Sequence, residues 1–255
     1  MPRDRNIARA LARQRDPSLP PSLALDASHC TILAPDVPMR IRLAKHEPPL
    51  PVCPEPAACP VRRFFAEAAA AGAPVELDIG AGYGRFSRGR AAGHPGIRLL
   101  AIEQEAARVA RSDVAARQAG ISNLALLRAE ARWALEYCAP PESVDVAYVL
   151  FPDPWPKDRH AHNRFFRLPN IALVHRLLRP GGTLQAATDN EPYFAQMLET
   201  MAAAPGFEPA DPAVRGDDER TDFERKFLAQ GKRVFAAAWR KTSRGRAAAA
   251  GGETR

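Results

Sequence analysis

Between Pro74 and Lys241 the chain alternates short apolar runs with longer amphipathic stretches, and this alternation limits the fold more than any other feature. Residues 75–79, 98–103, 124–128 and the β-branched run 144–150 read as strands. Helices are expected near 86–92, over 106–119 with Gly120 as the stop, over 164–178 and over 192–203. Arg179-Pro180-Gly181-Gly182 should turn the chain into a strand at 183–188, and 234–240 reads as a last strand. Strands and helices in turn at this spacing predict an α/β fold, a doubly wound parallel sheet with helices on both faces.

Twelve of the 25 prolines fall in residues 1–60, including Pro48-Pro49-Leu50-Pro51. Such a stretch sustains neither long helices nor central strands, so 1–60 is expected to be an irregular extension. A short helix at 61–71 should lead into a main domain over 61–241, followed by a low-complexity, disordered basic tail at 242–255. With 46% hydrophobic and 25% charged residues, that domain can bury a core. No apolar run reaches the roughly 18 residues a membrane helix needs. The first residues lack a secretory apolar run, and Asp4 and Asp16 oppose a mitochondrial presequence, so a cytoplasmic protein is expected. Four cysteines make no disulfide framework. A zinc site can be drawn from His29, Cys30, His46, Cys53 and Cys59, but Cys53 and Cys59 lack zinc-hairpin spacing, so no metal is expected. The net charge of +7 comes from 31 Arg and 5 Lys against 29 acids, a soft pointer to a polyanionic partner.

The first strand runs into Asp78-Ile79-Gly80-Ala81-Gly82-Tyr83-Gly84. Glycines between a strand and a helix let a ligand approach the backbone closely. The spacing is G-x-G-x-G, not the G-x-G-x-x-G of dinucleotide sites. Asp78 would repel a pyrophosphate and attract a cation, which favours the sulfonium and ammonium of S-adenosylmethionine over NAD. Glu103 ends the second strand and Glu130-Ala131 follow the third, places from which ribose and adenine can be met. After the fourth strand, Phe151-Pro152-Asp153-Pro154-Trp155-Pro156-Lys157 sets Asp153 between two prolines, a rigid mount for one carboxylate. Six basic residues and one acid lie from Lys157 to Arg179, a run that suits a nucleic-acid contact or a solvated basic helix after a structural turn.

Those segments, together with Ile102-Glu103, Arg159-His160, Pro180-Gly181-Gly182, Thr188-Asp189 and Thr221-Asp222-Phe223-Glu224-Arg225, occur in order over residues 74–240. The set resembles the tRNA (guanine-N7-)-methyltransferase family of the bacterial type, class I enzymes that use S-adenosylmethionine to modify a guanosine in the tRNA variable loop. The resemblance implies a Rossmann-like methyltransferase sheet, S-adenosylmethionine as cofactor and tRNA as partner, in a monomer or homodimer. It implies that Asp78, Gly80, Gly82, Glu103, Glu130 and Ala131 bind the cofactor and that Asp153 is catalytic. It further implies that Lys157, Asp189, Thr221 and Glu224 contact the substrate nucleotide. The chain departs from the family pattern with Asp at 78 where Glu is usual and Glu at 130 where Asp or Asn is usual. Ala161-His162-Asn163-Arg164 dilutes the basic triplet usual after Arg-His.

Guanine N7 carries a lone pair and needs no deprotonation, so the expected catalysis is positioning, with carboxylates accepting from the N1–H and N2 edge that adenine lacks. Two other readings stay open. A related methyltransferase acting on another RNA or a small molecule would not need tRNA for turnover or would methylate elsewhere. A tRNA-binding protein without catalysis would bind RNA and transfer nothing.

Overall fold

The computed structural model describes residues 31–33 and 60–242. Along the chain these form β1 (Thr31–Leu33), α1 (Pro60–Ala70), β2 (Val75–Ile79), α2 (Arg85–Gly93), β3 (Arg98–Glu103), α3 (Ala106–Gln118) and β4 (Leu124–Arg128). They continue as β5 (Val144–Leu150), α4 (Leu168–Leu177), β6 (Leu178–Thr188), α5 (Glu191–Ala203), β7 (Phe207–Ala210), α6 (Asp222–Ala229) and β8 (Phe235–Lys241). A helical turn, Ala131–Trp133, widens into a π-turn, Ala134–Cys138, between β4 and β5. Short 3-10 turns at Asp158–Asn163 and Asp217–Glu219 precede α4 and α6.

The apolar runs form strands because each has a partner layer on both faces. In β3, Leu99 and Ala101 pack with Val109 and Ala116 of α3 on one side. Leu100 and Ile102, alternating with them, join Phe65, Leu135 and Phe166 on the other. One eight-stranded sheet results, in the order β1-β4-β3-β2-β5-β6-β8-β7. Strands β2 to β6 are mutually parallel, as the strand–helix alternation predicts. The sheet is nonetheless mixed: β8 runs antiparallel between β6 and β7, and β1 adds an antiparallel edge to β4. Strand β7 contains Pro209 and lies at the edge, where a missing N–H breaks no ladder.

Other expectations shift at their ends. The helix expected from 164 starts at Leu168, because Pro169 in its first turn supplies no N–H to a turn before it. Arg179-Pro180-Gly181-Gly182 does not separate helix from strand but sits inside β6 as a bulge, where the register against β5 jumps from Val144↔Leu178 to Val146↔Thr183. His29, Cys30, His46, Cys53 and Cys59, most of the 1–60 extension and the tail beyond 242 lie outside the described residues. No described helix is long and apolar enough to cross a membrane.

Because β2 to β6 share one direction, Ile79, Glu103, Arg128, Leu150 and Thr188 all end on one edge of the sheet. Strand β8 begins at that same edge, with Phe235 opposite Thr188. Chain progression reverses between the neighbours β2 and β5, and the crevice outside such a reversal is where open α/β sheets receive ligands. Leu127, fully buried in the central cluster, carries this edge from below. Leu127→Ala should therefore lower the unfolding free energy by about 2–5 kcal/mol in urea titration.

Candidate active site

The glycine loop joins β2 to α2 with left-handed backbone at Gly80 (φ +83°), Gly82 (+60°) and Gly84 (+68°), a path that side chains rarely follow. Glu103 fixes it from the neighbouring strand. One carboxylate oxygen accepts from the Gly82 N–H at 2.9 Å and the other from the Glu105 N–H at 2.8 Å. Asp78, at the end of β2, is buried and accepts a 2.5 Å hydrogen bond from the Ser87 hydroxyl of α2. Burial pushes its carboxyl up to about 7; the Ser87 bond opposes that shift, the Glu103 charge adds to it and the Arg215 charge opposes it. Two buried acids under a backbone loop open to close approach form a niche suited to a cation.

Glu130 follows β4, as the sequence places it, but its exposed carboxylate caps the next turn, accepting from the N–H groups of Arg132 (3.0 Å) and Trp133 (2.8 Å). Ala131 is the first residue of that turn. Whatever else meets Glu130 must share oxygens already engaged with backbone.

The proline segment is stiff for a reason beyond its prolines. Phe151 (φ +52°) and Trp155 (φ +41°) are held in left-handed conformations, each of which costs on the order of 1–3 kcal/mol unless the surroundings enforce it. Phe151 is held by its N–H bond to the Ala187 carbonyl (2.7 Å); at Trp155 the guanidinium of Arg164 donates to the carbonyls of Pro154 (2.8 Å) and Trp155 (3.0 Å), bonds Gln196 and lies over the Tyr193 ring. Asp153, between these fixed points, is exposed, with only a long 3.4 Å contact from the Trp155 N–H. The basic run at 157–179 accordingly divides. Arg176 donates to the carbonyls of Leu135, Glu136 and Ala139, Arg179 pairs with Asp145, and Arg167 donates to the His162 carbonyl. Lys157 and Arg159 remain exposed beside Asp153.

Across the crevice, Asp189 follows β6 and accepts from Lys232 at 3.2 Å. Thr221 caps α6 by accepting from the Glu224 N–H at 3.0 Å. Glu224 is buried and paired with Arg215 at 3.1 Å, while Glu224 Oε2 and Arg215 Nη1 have no hydrogen-bond partner. Sequence reading missed Arg215, which has no motif of its own. It lies in the strap 211–221, which crosses α2 so closely that a Cβ on Gly89 would stand 1.9 Å from the Asp218 carbonyl oxygen. Arg90 ties strap to sheet, binding Glu76 through two bonds of 2.8 and 2.9 Å and reaching Glu219 at 3.3 Å; Tyr148 donates to Glu76 at 3.1 Å. Among the described residues no cluster of His, Cys, Asp and Glu is arranged to hold a metal ion.

The Asp78 carboxyl gives a pH signature. Because its folded value lies above its ordinary 3.8, the folded state keeps a proton the unfolded state releases, so stability is lost as pH rises from 3.8 to about 7. Asp78→Asn should remove that slope and melt higher than wild type above the window, read from thermal unfolding across pH.

Residues 72–237 match a family model described as "Putative methyltransferase". A tRNA (guanine-N(7)-)-methyltransferase of Burkholderia vietnamiensis is 37% identical over 172 residues, covering 66% of this chain and 68% of that protein. The one of Yersinia pseudotuberculosis is 36% identical over 171 residues, covering 66% and 70%. Among solved structures, a 16S rRNA (adenine(1408)-N(1))-methyltransferase from Catenulisporales acidiphilia with cosubstrate SAM has a TM-score of 0.53 at 19% identity, covering 72% of this chain and 92% of that one. The 16S rRNA methyltransferase KamB has a TM-score of 0.51 at 19% identity, covering 70% and 92%. The two structural likenesses bear on the fold and the sequence relatives on the lineage: the chain belongs to the tRNA (guanine-N7-)-methyltransferase family.

Proposed function

We propose that the protein transfers a methyl group from S-adenosylmethionine to N7 of a guanosine in the variable loop of tRNA. The observation that carries the reading is the pair of buried acids, Asp78 and Glu103, beneath the glycine loop, on the same sheet edge as the rigid Asp153 segment that follows the neighbouring strand β5. S-adenosylmethionine supplies a methyl group activated on a cationic sulfur. Asp78 and Glu103 favour the cofactor's positive charge, Gly80 and Gly82 admit it to the backbone, and Glu130-Ala131 bound its far side. Ionised Asp78 is the form that attracts a cation, so tighter cofactor binding goes with rising pH through about 7.

The acceptor nitrogen already carries its lone pair, so the chain's residues need only place it. Asp153 accepts from the guanine N1–H or N2 amine on a loop that Arg164 keeps from relaxing. Asp189 is a further acceptor, and Glu224 becomes one if substrate uncovers its buried, unpartnered Oε2; adenine, lacking those donors, would leave the carboxylates unpaired. Thr221 fixes the first turn of α6, and Lys157 with Arg159 neutralises phosphate. The reaction belongs in the cytoplasm with the tRNA, carried out by a monomer or homodimer.

The test is methyl transfer from labelled cofactor to unmodified tRNA, with borohydride–aniline cleavage locating N7-methylguanosine. Cleavage in the variable loop is expected. Asp153→Ala should lower turnover about 100-fold or more through misplacement of the base, with cofactor binding nearly unchanged; equal loss of both would show that Asp153 serves the cofactor instead.

A further inference from the structure

The T-D-F-E-R-K-F stretch places an aromatic ring, Phe223, where core packing does not require it. Phe223 is 52% exposed although it lies in α6, beside the crevice. Its ring stacks on Phe227 with centroids 6.0 Å apart and planes 24° apart. Phe227 in turn meets Phe151, the first residue of the proline segment, at 5.8 Å. Phe151 packs on the buried cluster of Phe86, Tyr148, Leu150 and Ala187. The three rings thus form a stair rising from the core, past the Asp153 loop, into solvent. Lys232 links it to the crevice, its ammonium 4.4 Å from the Phe227 centroid and 3.2 Å from Asp189.

A single exposed aromatic needs no explanation. Here, however, four basic residues occupy 225–233 with no acid among them, and Lys226, Lys232 and Arg233 are all exposed. Aromatic faces flanked by cations are how proteins hold unpaired nucleic acid: the rings stack bases and the cations meet the backbone. The rings offer no hydrogen bond, so this surface supports a base without reading it, unlike Asp153 and Asp189.

We propose that Phe223, backed by Phe227 and Phe151, is the stacking platform for an unpaired nucleobase adjoining the acceptor guanosine, with Lys226, Lys232 and Arg233 along the sugar–phosphate chain. The proposal rests on the tRNA-methylation reading for its choice of RNA. A stacked base contributes enough affinity that losing the ring should raise KM for tRNA roughly 5- to 100-fold. Turnover at saturating tRNA should change little, because the platform meets no reacting atom.

The experiment compares wild type with Phe223→Leu, which keeps apolar bulk, and Phe223→Tyr, which keeps the ring. Phe223→Leu should raise KM with kcat and cofactor affinity unchanged, and Phe223→Tyr should restore KM. A wild-type KM in Phe223→Leu would overturn the proposal. So would parallel losses in both variants, which would mark a packing role, or a change of oligomeric state without a change in KM, which would mean a second copy covers the face. Fluorescence of Phe223→Trp against the wild-type background, with tRNA alone, separates this proposal from the methylation reading. Quenching by tRNA with no methyl transfer by wild type keeps the platform and overturns that reading. Methyl transfer without quenching does the reverse, and the absence of both overturns the two together.

Discussion

The structure is organised around the burial of negative charge at the carboxyl edge of its central strands. Asp78 and Glu103 lie side by side beneath the glycine loop, where neither is well hydrated. Each is compensated differently. Glu103 is satisfied by the backbone, and in satisfying it Gly82 and Glu105 give the loop its shape. Asp78 has one hydroxyl and a distant guanidinium, and it keeps a proton that an ordinary carboxylate would lose. Arg108 reaches Glu103 at 3.7 Å from the solvent side, and Asp78, which has no cation that close among the described residues, is the carboxylate a cationic ligand completes, at the expense of stability when no ligand is there.

The same accounting governs the rest of the crevice. Arg215 is brought in by the strap to meet Glu224, and the strap is held to the sheet by Arg90 between Glu76 and Glu219. Buried ion pairs of this kind add little net stability, but removing one partner strands the other. They act as locating devices: the chain Glu219–Arg90–Glu76–Tyr148 ties the strap to α2, β2 and β5, and the Arg215–Glu224 pair ties it to α6.

Much of this was legible in the sequence. The five parallel strands announce themselves because strands buried on both faces are mostly apolar, and Asp78, Glu103 and Asp153 stand out as acids at or just beyond their ends. What the sequence hides follows from contacts between distant segments. Strand β7 is four residues long and carries a proline, and the reversal of β8 depends on pairing with β6, which no local pattern records. The basic run at 157–179 misleads because composition counts charges, whereas the fold decides their use: Arg164 and Arg176 bind carbonyls, and Arg179 an aspartate. Glu130 is similarly diverted to a cap. Arg215 has no local signature, since its meaning lies in Glu224, nine residues later.

Gly89 shows what kind of tolerance such a site has. The spacing between the strap and α2 is set by main chain against main chain, with no room for one methyl group. An exposed charged side chain can swing through rotamers and exchange its partner for water, so its replacement perturbs a site by degrees. A hard contact between backbones has no such give, and it behaves like a shim in a machine: its thickness is the tolerance. The closest approach of the strap to α2 is therefore set by main chain at Gly89, while the ion pairs of Arg90 hold the strap down against that stop.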